Sequence, residues 1–177
     1  MYYDPEKNDH GLARSPFKSC VVPRPIGWIS TMSAAGVHNL APYSQFQNLG
    51  FDPAYVMISA NQGEPGKRKD TVVNIEETGE FTVNVPAEGM DETVAYCGQV
   101  SGREHDKFKE RALTMLDGRS VKSPMIEECI AYFECKVIGK STLIPDLLSE
   151  EVLKTGYPSG NYHTLYFGKI LSSLMDQ

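Results

Sequence analysis

Residues 80 to 85 alternate strictly between apolar and polar side chains, a pattern that forms one apolar and one polar face only in a β-strand. The apolar face carries Phe81, Val83 and Val85, and the polar face carries Thr82 and Asn84. Residues 129 to 138 alternate in the same way, with Glu134 and Lys136 among the polar positions. We therefore expect both segments to be half-buried strands.

Further strand candidates are separated by turn residues and cover residues 26 to 33, 37 to 40, 54 to 60 and 162 to 170. In the last of these, Gly168 indicates a bulge or a close backbone approach. Several strands at short spacing favour an antiparallel barrel with peripheral helices over a doubly wound sheet.

The predicted helices are short and do not alternate regularly with the strands. They cover residues 70 to 78, 91 to 97, about 106 to 112 and 146 to 154. Asp70 is the predicted N-cap of the first helix and Gly79 ends it, whereas Pro145 suits the first turn of the last. Without an internal repeat or a dividing linker, we expect residues 1 to 177 to form one domain.

Composition excludes several classes of function. The 177 residues include 17 Lys and Arg against 23 Asp and Glu, a net charge of -6, which disfavours a nucleic-acid partner. No apolar run is long enough to span a membrane, and the N-terminal sequence lacks a signal-peptide pattern, so we expect a cytoplasmic protein. The cysteines Cys20, Cys97, Cys129 and Cys135 are scattered and predicted to be buried, and neither they nor the histidines have metal-ligand spacing.

Two groups of polar residues stand out once nucleophile motifs, the P-loop and the Rossmann fingerprint have been searched for and not found. Lys67, Arg68 and Lys69 directly precede Asp70 and Thr71 at the predicted helix start. Cations beside free N–H groups of a helix N-terminus favour a phosphate monoester, although a solvated turn has the same composition. The second group, residues 28 to 31 with residues 39 to 48, is rich in hydroxyl, amide and aromatic groups and suits a flat heteroaromatic ring. The alternative is that Trp28 is a core residue and that residues 43 to 48 form a polar connection between strands.

Three stretches resemble the signature segments of one family in order and separation. They are Pro23–Thr31 (Pro-Arg-Pro-Ile-Gly-Trp-Ile-Ser-Thr), Asn39–Ser44 (Asn-Leu-Ala-Pro-Tyr-Ser) and Arg68–Ile75 (Arg-Lys-Asp-Thr-Val-Val-Asn-Ile). The chain resembles the flavin reductase-like, FMN-binding split-barrel family, which includes flavoredoxins and the reductase components of two-component monooxygenases.

The resemblance implies a mainly β fold, a six-stranded antiparallel Greek-key split barrel with peripheral helices, that forms a homodimer and binds FMN near the subunit interface. Ser30 and Thr31 would contact the ring or ribityl chain, and Arg68, Lys69 and Thr71 would hold the phosphate. The implied cofactor-binding set is Arg24, Trp28, Ser30, Thr31, Ala41, Pro42, Tyr43, Ser44, Ser59, Arg68, Lys69, Asp70 and Thr71. His163 would bind the reductant, NADH or NADPH; the alternative is that it is a structural residue of its strand.

Flavin carries the chemistry in this family, so the resemblance requires no protein acid or base. It implies an NAD(P)H-dependent flavin reductase, with a monooxygenase or another electron-acceptor protein as partner. A flavoredoxin-like electron carrier and a non-catalytic flavin-binding module are the alternatives. Residues 144 to 159 are longer than the turn expected there, which makes them a candidate cover for the flavin.

Overall fold

The computed structural model describes residues 7, 10–12, 16, 20–64 and 67–175. The strands of its main sheet are β1 (Gly27–Met32), β2 (His38–Tyr43), β3 (Phe46–Phe51), β4 (Ala54–Asn61), β7 (Glu80–Pro86), β10 (Cys129–Thr142) and β11 (His163–Met175). Two small hairpins add β5 (Gly63–Glu64) with β6 (Lys67–Arg68) and β8 (Met115–Leu116) with β9 (Met125–Ile126). The α-helices are α1 (Asp70–Thr78), α2 (Asp91–Cys97), α3 (Lys107–Glu110) and α4 (Glu150–Gly156), and Pro145–Leu147 forms a 3-10 turn.

The main sheet is antiparallel throughout and closes on itself. Its strand order is β2-β1-β7-β10-β11-β4-β3, so the two outermost strands are consecutive in the chain. Only Ser44 and Gln45 separate them, and the Ser59 N–H of β4 donates to the Gln45 carbonyl at 2.9 Å. Edges joined by two residues cannot lie a whole sheet apart, so the sheet is rolled into a barrel. The predicted mainly β barrel is confirmed, with β3 as a seventh strand.

Two apolar clusters lie on opposite faces of the sheet. The first contains Ile29, Ile58, Phe81 and other strand residues, together with Val72 and Ile75 of α1. The second contains Trp28, Leu40, Cys97, Phe108, Met125, Ile126, Cys129 and Tyr132. Because successive strand residues point to opposite faces, β1 sends Trp28 into one cluster and Ile29 into the other. Trp28 is therefore a core residue, which is the structural alternative that the sequence leaves open for it.

The polar face predicted for β7 is buried, whereas that of β10 is buried at Glu134 and exposed at Lys136. Thr82 and Asn84 of β7 are fully buried because the segment before β9 covers them: Thr82 Oγ1 donates to the Ser123 carbonyl at 3.0 Å, and Asn84 Oδ1 accepts from Ile126 N–H at 3.1 Å. Glu134 of β10 is buried as well. Alternation identified the faces correctly but could not show that a distant segment covers the polar one.

The predicted helices 70 to 78 and 91 to 97 have the bounds of α1 and α2, and the other two differ from the structure at their ends. Gly79 ends α1 in the left-handed conformation, at φ 70°, as predicted. Its N-cap is Lys69 rather than Asp70, and α4 begins after the Ser149 cap rather than at Pro145. The residues after Pro145 form the 3-10 turn instead, because Leu148 returns to an extended conformation.

Two smaller predictions, for Gly168 and for the cysteines, have clear outcomes. A Cβ on Gly168 would lie 2.4 Å from Phe81 Cζ, so this position is the predicted close approach. Cys97, Cys129 and Cys135 are buried, but Cys20 is exposed, which corrects the prediction for that residue. Among the described residues, no helix is long and apolar enough to cross a membrane.

Candidate functional site

A cleft of about 770 Å³ opens where the end of β2, the end of β4 and the start of α1 meet. The turn after α2 closes a further side. The cleft is lined by Asn39, Ala41, Pro42, Tyr43, Ser44, Gln45, Ser59, Ala60, Asn61, Gly63, Glu64, Lys67, Arg68, Lys69, Asp70, Thr71, Cys97, Gly98, Gln99, Val100, Ser101, Lys107 and His163. The structure thus brings Ala41 to Ser44, Ser59, Arg68 to Thr71 and His163 to one cleft, as the sequence predicts.

The N-terminus of α1 opens into this cleft without a side-chain cap. Lys69, the N-cap residue, has an extended backbone at φ -61° and ψ 136°, and its side chain makes no capping hydrogen bond. The first N–H groups of a helix have no partner within the helix, and the helix dipole places partial positive charge there. The geometry favours an anion at this end of the cleft.

Lys69 adds a full positive charge at the same place. Its Nζ lies 5.8 Å from the centre of the Tyr43 ring, and no carboxylate of the described residues lies within 4.0 Å of it. Desolvation by the cleft walls lowers the pKa of the Lys69 ammonium group. Lys69 is therefore a cation available to a ligand.

The other two cations of the basic run are paired within the protein. Arg68 contacts Glu76 at 2.6 Å and Gln62 at 2.9 Å, and Lys67 contacts Glu104 at 3.3 Å. Arg68 lines the cleft as predicted, but its guanidinium is neutralised by an acid. To hold a phosphate as predicted, Arg68 would therefore have to release the Glu76 carboxylate and bind the phosphate instead.

Asp70 and Thr71 direct their side chains to other elements instead of capping α1. The Asp70 carboxylate accepts from Ser101 Oγ and Gly102 N–H, both at 2.7 Å, and pairs with Arg103. Thr71 is 2% exposed and its Oγ1 accepts from Asn39 Nδ2 at 2.9 Å. Asp70 thus holds the loop after α2 in place, and its charge is compensated.

The wall opposite α1 carries the aromatic and polar groups. Tyr43 is 6% exposed, and burial, partly offset by a hydrogen bond with Thr71, raises its pKa to about 12, so it remains a neutral phenol. Burial and the nearby Lys69 charge lower the pKa of His163, whose Nδ1 lies 2.8 Å from the Tyr157 hydroxyl. Asn61 Oδ1 is buried without a hydrogen-bond partner among the described residues. The cleft therefore holds an acceptor that lacks a donor.

Ser30 and Thr31 lie outside the cleft, which corrects their predicted contact with a ring. Both are fully buried. Ser30 Oγ donates to the Pro124 carbonyl at 2.5 Å, and Thr31 Oγ1 accepts from Asn74 Nδ2 at 3.0 Å. Their hydroxyls hold the segment before β9 and helix α1 against β1, so their contribution to the site is to position α1.

Trp28 and Arg24 also lie away from the cleft lining. Trp28 belongs to the apolar cluster between the sheet and the α2–α3 region. Arg24 precedes β1, and its Nη1 donates to the Val21 carbonyl at 2.9 Å. Residues 144 to 159, the candidate cover, contribute nothing to the cleft lining either, because the 3-10 turn and α4 pack beyond the end of β10.

Several lining residues were not in the predicted binding set, among them Lys107 and Asn39. Lys107, the first residue of α3, is 2% exposed, and its Nζ donates to Asn39 Oδ1. Asn39 was quoted within a motif but given no role. A lysine is ordinarily exposed, so sequence alone carries no signal for the burial of Lys107.

Comparison with known proteins identifies the family. Residues 19–176 match the model of the "Flavin reductase like domain". The chain belongs to the flavin reductase-like domain family. An uncharacterized protein of Aquifex aeolicus (strain VF5) is 34% identical over 171 residues, which cover 84% of this chain and 87% of that protein.

A second relative, the uncharacterized protein YwrF of Bacillus subtilis (strain 168), is 34% identical over 117 residues. These residues cover 66% of this chain and 57% of YwrF. A similar match in Methanothermobacter thermautotrophicus covers 54% of that relative. The chain thus spans little more than half the length of these two relatives.

Solved structures show the same fold. Nitrilotriacetate monooxygenase component B from Bacillus cereus has a TM-score of 0.76 and 20% identity, covering 100% of this chain and 82% of that one. Flavoredoxin of Desulfovibrio vulgaris (Miyazaki F) has a TM-score of 0.70 and 21% identity, with coverages of 89% and 72%. An FMN-binding protein from Thermus thermophilus has a TM-score of 0.69 and 18% identity, with coverages of 93% and 77%. The predicted split-barrel fold is confirmed.

Proposed function

We propose that this chain binds FMN in the cleft and uses it as an NAD(P)H-dependent flavin reductase. The observation that carries the proposal is the available Lys69 ammonium group beside the uncapped N-terminus of α1. Lys69 and the first N–H groups of α1 would hold the phosphate, and the segment from Ala41 to Ser44 would run along the ring. A phosphate monoester suits this donor set because charge-assisted hydrogen bonds are the strong ones.

Two properties of the cleft fit FMN. Its volume lies within the range of about 300 to 1,000 Å³ typical of small-molecule sites. The unpartnered Asn61 Oδ1 requires a donor, and the imide of a flavin ring is a group that donates an N–H. The charged end of the cleft and this acceptor thus match the two chemically different ends of the cofactor.

When bound, FMN supplies hydride and single-electron chemistry. The residues of the chain bind and orient both partners. Tyr43 and His163 are neutral near pH 7 because burial raises the pKa of the first and lowers that of the second. Neither side chain therefore places a charge against the flavin ring. His163, held by Tyr157, would contact NADH or NADPH. The reacting carbon of the nicotinamide needs to lie about 3 to 3.5 Å from the reacting atom of the flavin ring.

A flavoredoxin-like electron carrier is the second candidate, since a flavoredoxin is among the proteins that share this fold. In either role we propose a homodimer that passes electrons to a partner protein. The name of the Bacillus cereus structure, a monooxygenase component, supports a monooxygenase as one class of partner.

Flavin affinity tests the proposal. We expect FMN to bind at least about tenfold more tightly than riboflavin, because each good charge-assisted contact is worth about 1.5 to 3 kcal/mol. Fluorescence quenching gives both dissociation constants. Equal constants would remove the phosphate site from the cleft.

Steady-state oxidation of NADH and NADPH with excess free FMN then separates the two candidates. A reductase oxidises many equivalents of nicotinamide per protein. Under anaerobic conditions, a carrier that retains its flavin and does not pass electrons to free FMN stops after one equivalent unless a protein electron acceptor is added. Absence of FMN binding would exclude both functions.

A further inference from the structure

Lys107 is a buried cation behind the proposed anion site. It is 2% exposed, lines the cleft, and has no carboxylate of the described residues within 4.0 Å of its ammonium group. Lysine is almost never fully buried unless it is paired. No carboxylate of the described residues therefore pairs directly with this ammonium group, and the Asp70 charge acts on it from beyond 4.0 Å.

Three neutral acceptors hold the Lys107 ammonium group in place. Its Nζ donates to Asn39 Oδ1, to the Leu40 carbonyl and to the Cys97 carbonyl, each at 2.8 Å. An ammonium group has three donors, so all of them are used. The hydrogen bonds fix the position of the charge between β2 and the end of α2 but do not neutralise it, and burial lowers the Lys107 pKa.

The bond to Asn39 sets the direction of a hydrogen-bond chain. With Asn39 Oδ1 facing Lys107, the amide nitrogen faces Thr71 and donates to its Oγ1 at 2.9 Å. The ammonium group has donors only, so the amide oxygen of Asn39, and not its nitrogen, must face Lys107. Thr71 Oγ1 thus accepts from the protein interior. The Tyr43 phenol is a further hydrogen-bond partner of Thr71, and when that phenol donates its own hydrogen to Thr71 Oγ1, the Thr71 hydrogen is left for an acceptor on the cleft side.

We propose that Lys107 is a positioning residue that makes the cleft selective for an anionic ligand. Its fixed charge attracts the anion, and its hydrogen bond orients Asn39 so that Thr71 presents a donor at the N-terminus of α1. Bonds in such a chain polarise one another, which strengthens the last donor. The inference rests on the proposed function for the identity of the ligand, a flavin phosphate, but the anion selectivity is a property of the cleft itself.

The test compares Lys107→Met with a matched control, Lys109→Met. Both variants remove one positive charge from α3, but the Lys109 side chain is exposed and lies outside the cleft lining. Dissociation constants are measured for FMN, riboflavin and inorganic phosphate, the first two by fluorescence and the last by ³¹P NMR. Circular dichroism and thermal melting establish that each variant is folded.

We expect Lys107→Met to lower the preference for FMN over riboflavin about tenfold, and Lys109→Met to change it less than about twofold. If Lys107 had a merely structural role, the variant would lower the affinities for FMN and riboflavin equally. That result overturns the inference. Thr71→Val provides the second variant if Lys107→Met does not fold. It keeps the charge and removes the terminal donor, so it should lower the preference by about threefold; an unchanged preference overturns the inference.

Inorganic phosphate distinguishes failure of this inference from failure of the proposed function. Lys107-dependent phosphate binding without FMN binding supports Lys107 and excludes the flavin function. FMN binding with an unchanged preference in Lys107→Met supports the function and overturns the role of Lys107. If the wild-type protein binds neither anion, both proposals are wrong.

Discussion

Lys69 is the residue on which the proposed phosphate site depends most directly. We expect Lys69→Ala to weaken FMN binding by about 1 to 3 kcal/mol, since it removes a charge-assisted contact. The penalty should shrink at high salt, because Lys69 is solvent-accessible and its interaction with an anion is screened. Titration of FMN and riboflavin by fluorescence at low and high ionic strength measures both effects.

Lys154→Ala is the control for net charge, because Lys154 is an exposed residue of α4 outside the cleft lining. It should leave both flavin affinities unchanged. A Lys69→Ala variant that lost riboflavin affinity as strongly as FMN affinity would show that Lys69 contacts the ring, and the phosphate would have to be placed elsewhere.

The residue types in the sequence predicted which chemical groups line the cleft better than they predicted where each side chain points. Lys69 and His163 line the cleft as expected, whereas Ser30 and Thr31 do not. The sequence of β1 shows that successive residues occupy opposite faces, but both faces of this strand are covered by apolar clusters. Periodicity cannot show which buried hydroxyl meets a ligand and which meets Asn74, because that depends on how α1 packs.

Among the elements, α1 is held to three strands through one carboxylate. Glu76 of α1 contacts Arg68 of β6 at 2.6 Å, Lys140 of β10 at 2.8 Å and the Tyr166 hydroxyl of β11 at 3.1 Å. Partial burial raises the Glu76 pKa, but the hydrogen bonds and charges of Lys140 and Arg68 outweigh it and lower the pKa to about 2. The ionised carboxylate therefore stabilises the position of the helix that carries the anion site.

We expect Glu76→Gln to lower the free energy of unfolding at pH 7 by about 1 to 3 kcal/mol, discounted for the solvent that reaches these ion pairs. A pKa that is depressed on folding stabilises the protein above the unfolded value near 4.5 and loses that contribution as pH falls toward 2. The difference between wild type and variant should therefore be full at pH 7 and shrink below pH of about 4.5. Urea unfolding across this pH range measures it.

Glu88→Gln removes the same charge from an exposed turn and is the matched control. It should change stability by less than about 0.5 kcal/mol at any pH. A Glu76→Gln variant as stable as the wild type at pH 7 would mean that the three contacts do not hold α1.

Elements with a clear sequence pattern of their own were predicted well, and β3, which has none, was not. Residues 70 to 78 form a helix ending at Gly79, because a glycine in the left-handed conformation is a local stop. By contrast, β3 lies in a stretch that looks like a polar loop and is exposed over most of its length. It is a strand because β4 pairs with it, for example Gln47 with Met57, and no local preference encodes that partner.

For the molecule as a whole, closure of the barrel leaves large apolar side chains outside both cores. On β3, Leu49 is 52% exposed and Phe51 is 87% exposed. Ile130 of β10 and Met175 of β11 are also exposed, and the pairing of Ala131 with Met175 places them at the same end of the two strands. Exposed apolar groups of this size are typical of association surfaces.

We expect the chain to be a dimer of about twice 19.6 kDa with an interface above roughly 2,000 Å², because permanent homodimers have interfaces of this class. Light scattering at micromolar concentration with FMN present measures the mass. The double variant Leu49→Asp and Phe51→Asp should lower that mass if β3 contributes to the interface, since it buries two carboxylates in an apolar contact. Val152→Asp, on the exposed side of α4, is the control and should remain dimeric. A monomeric wild type under these conditions would contradict the dimer, and the FMN site would then have to be complete within the one cleft described for the single chain.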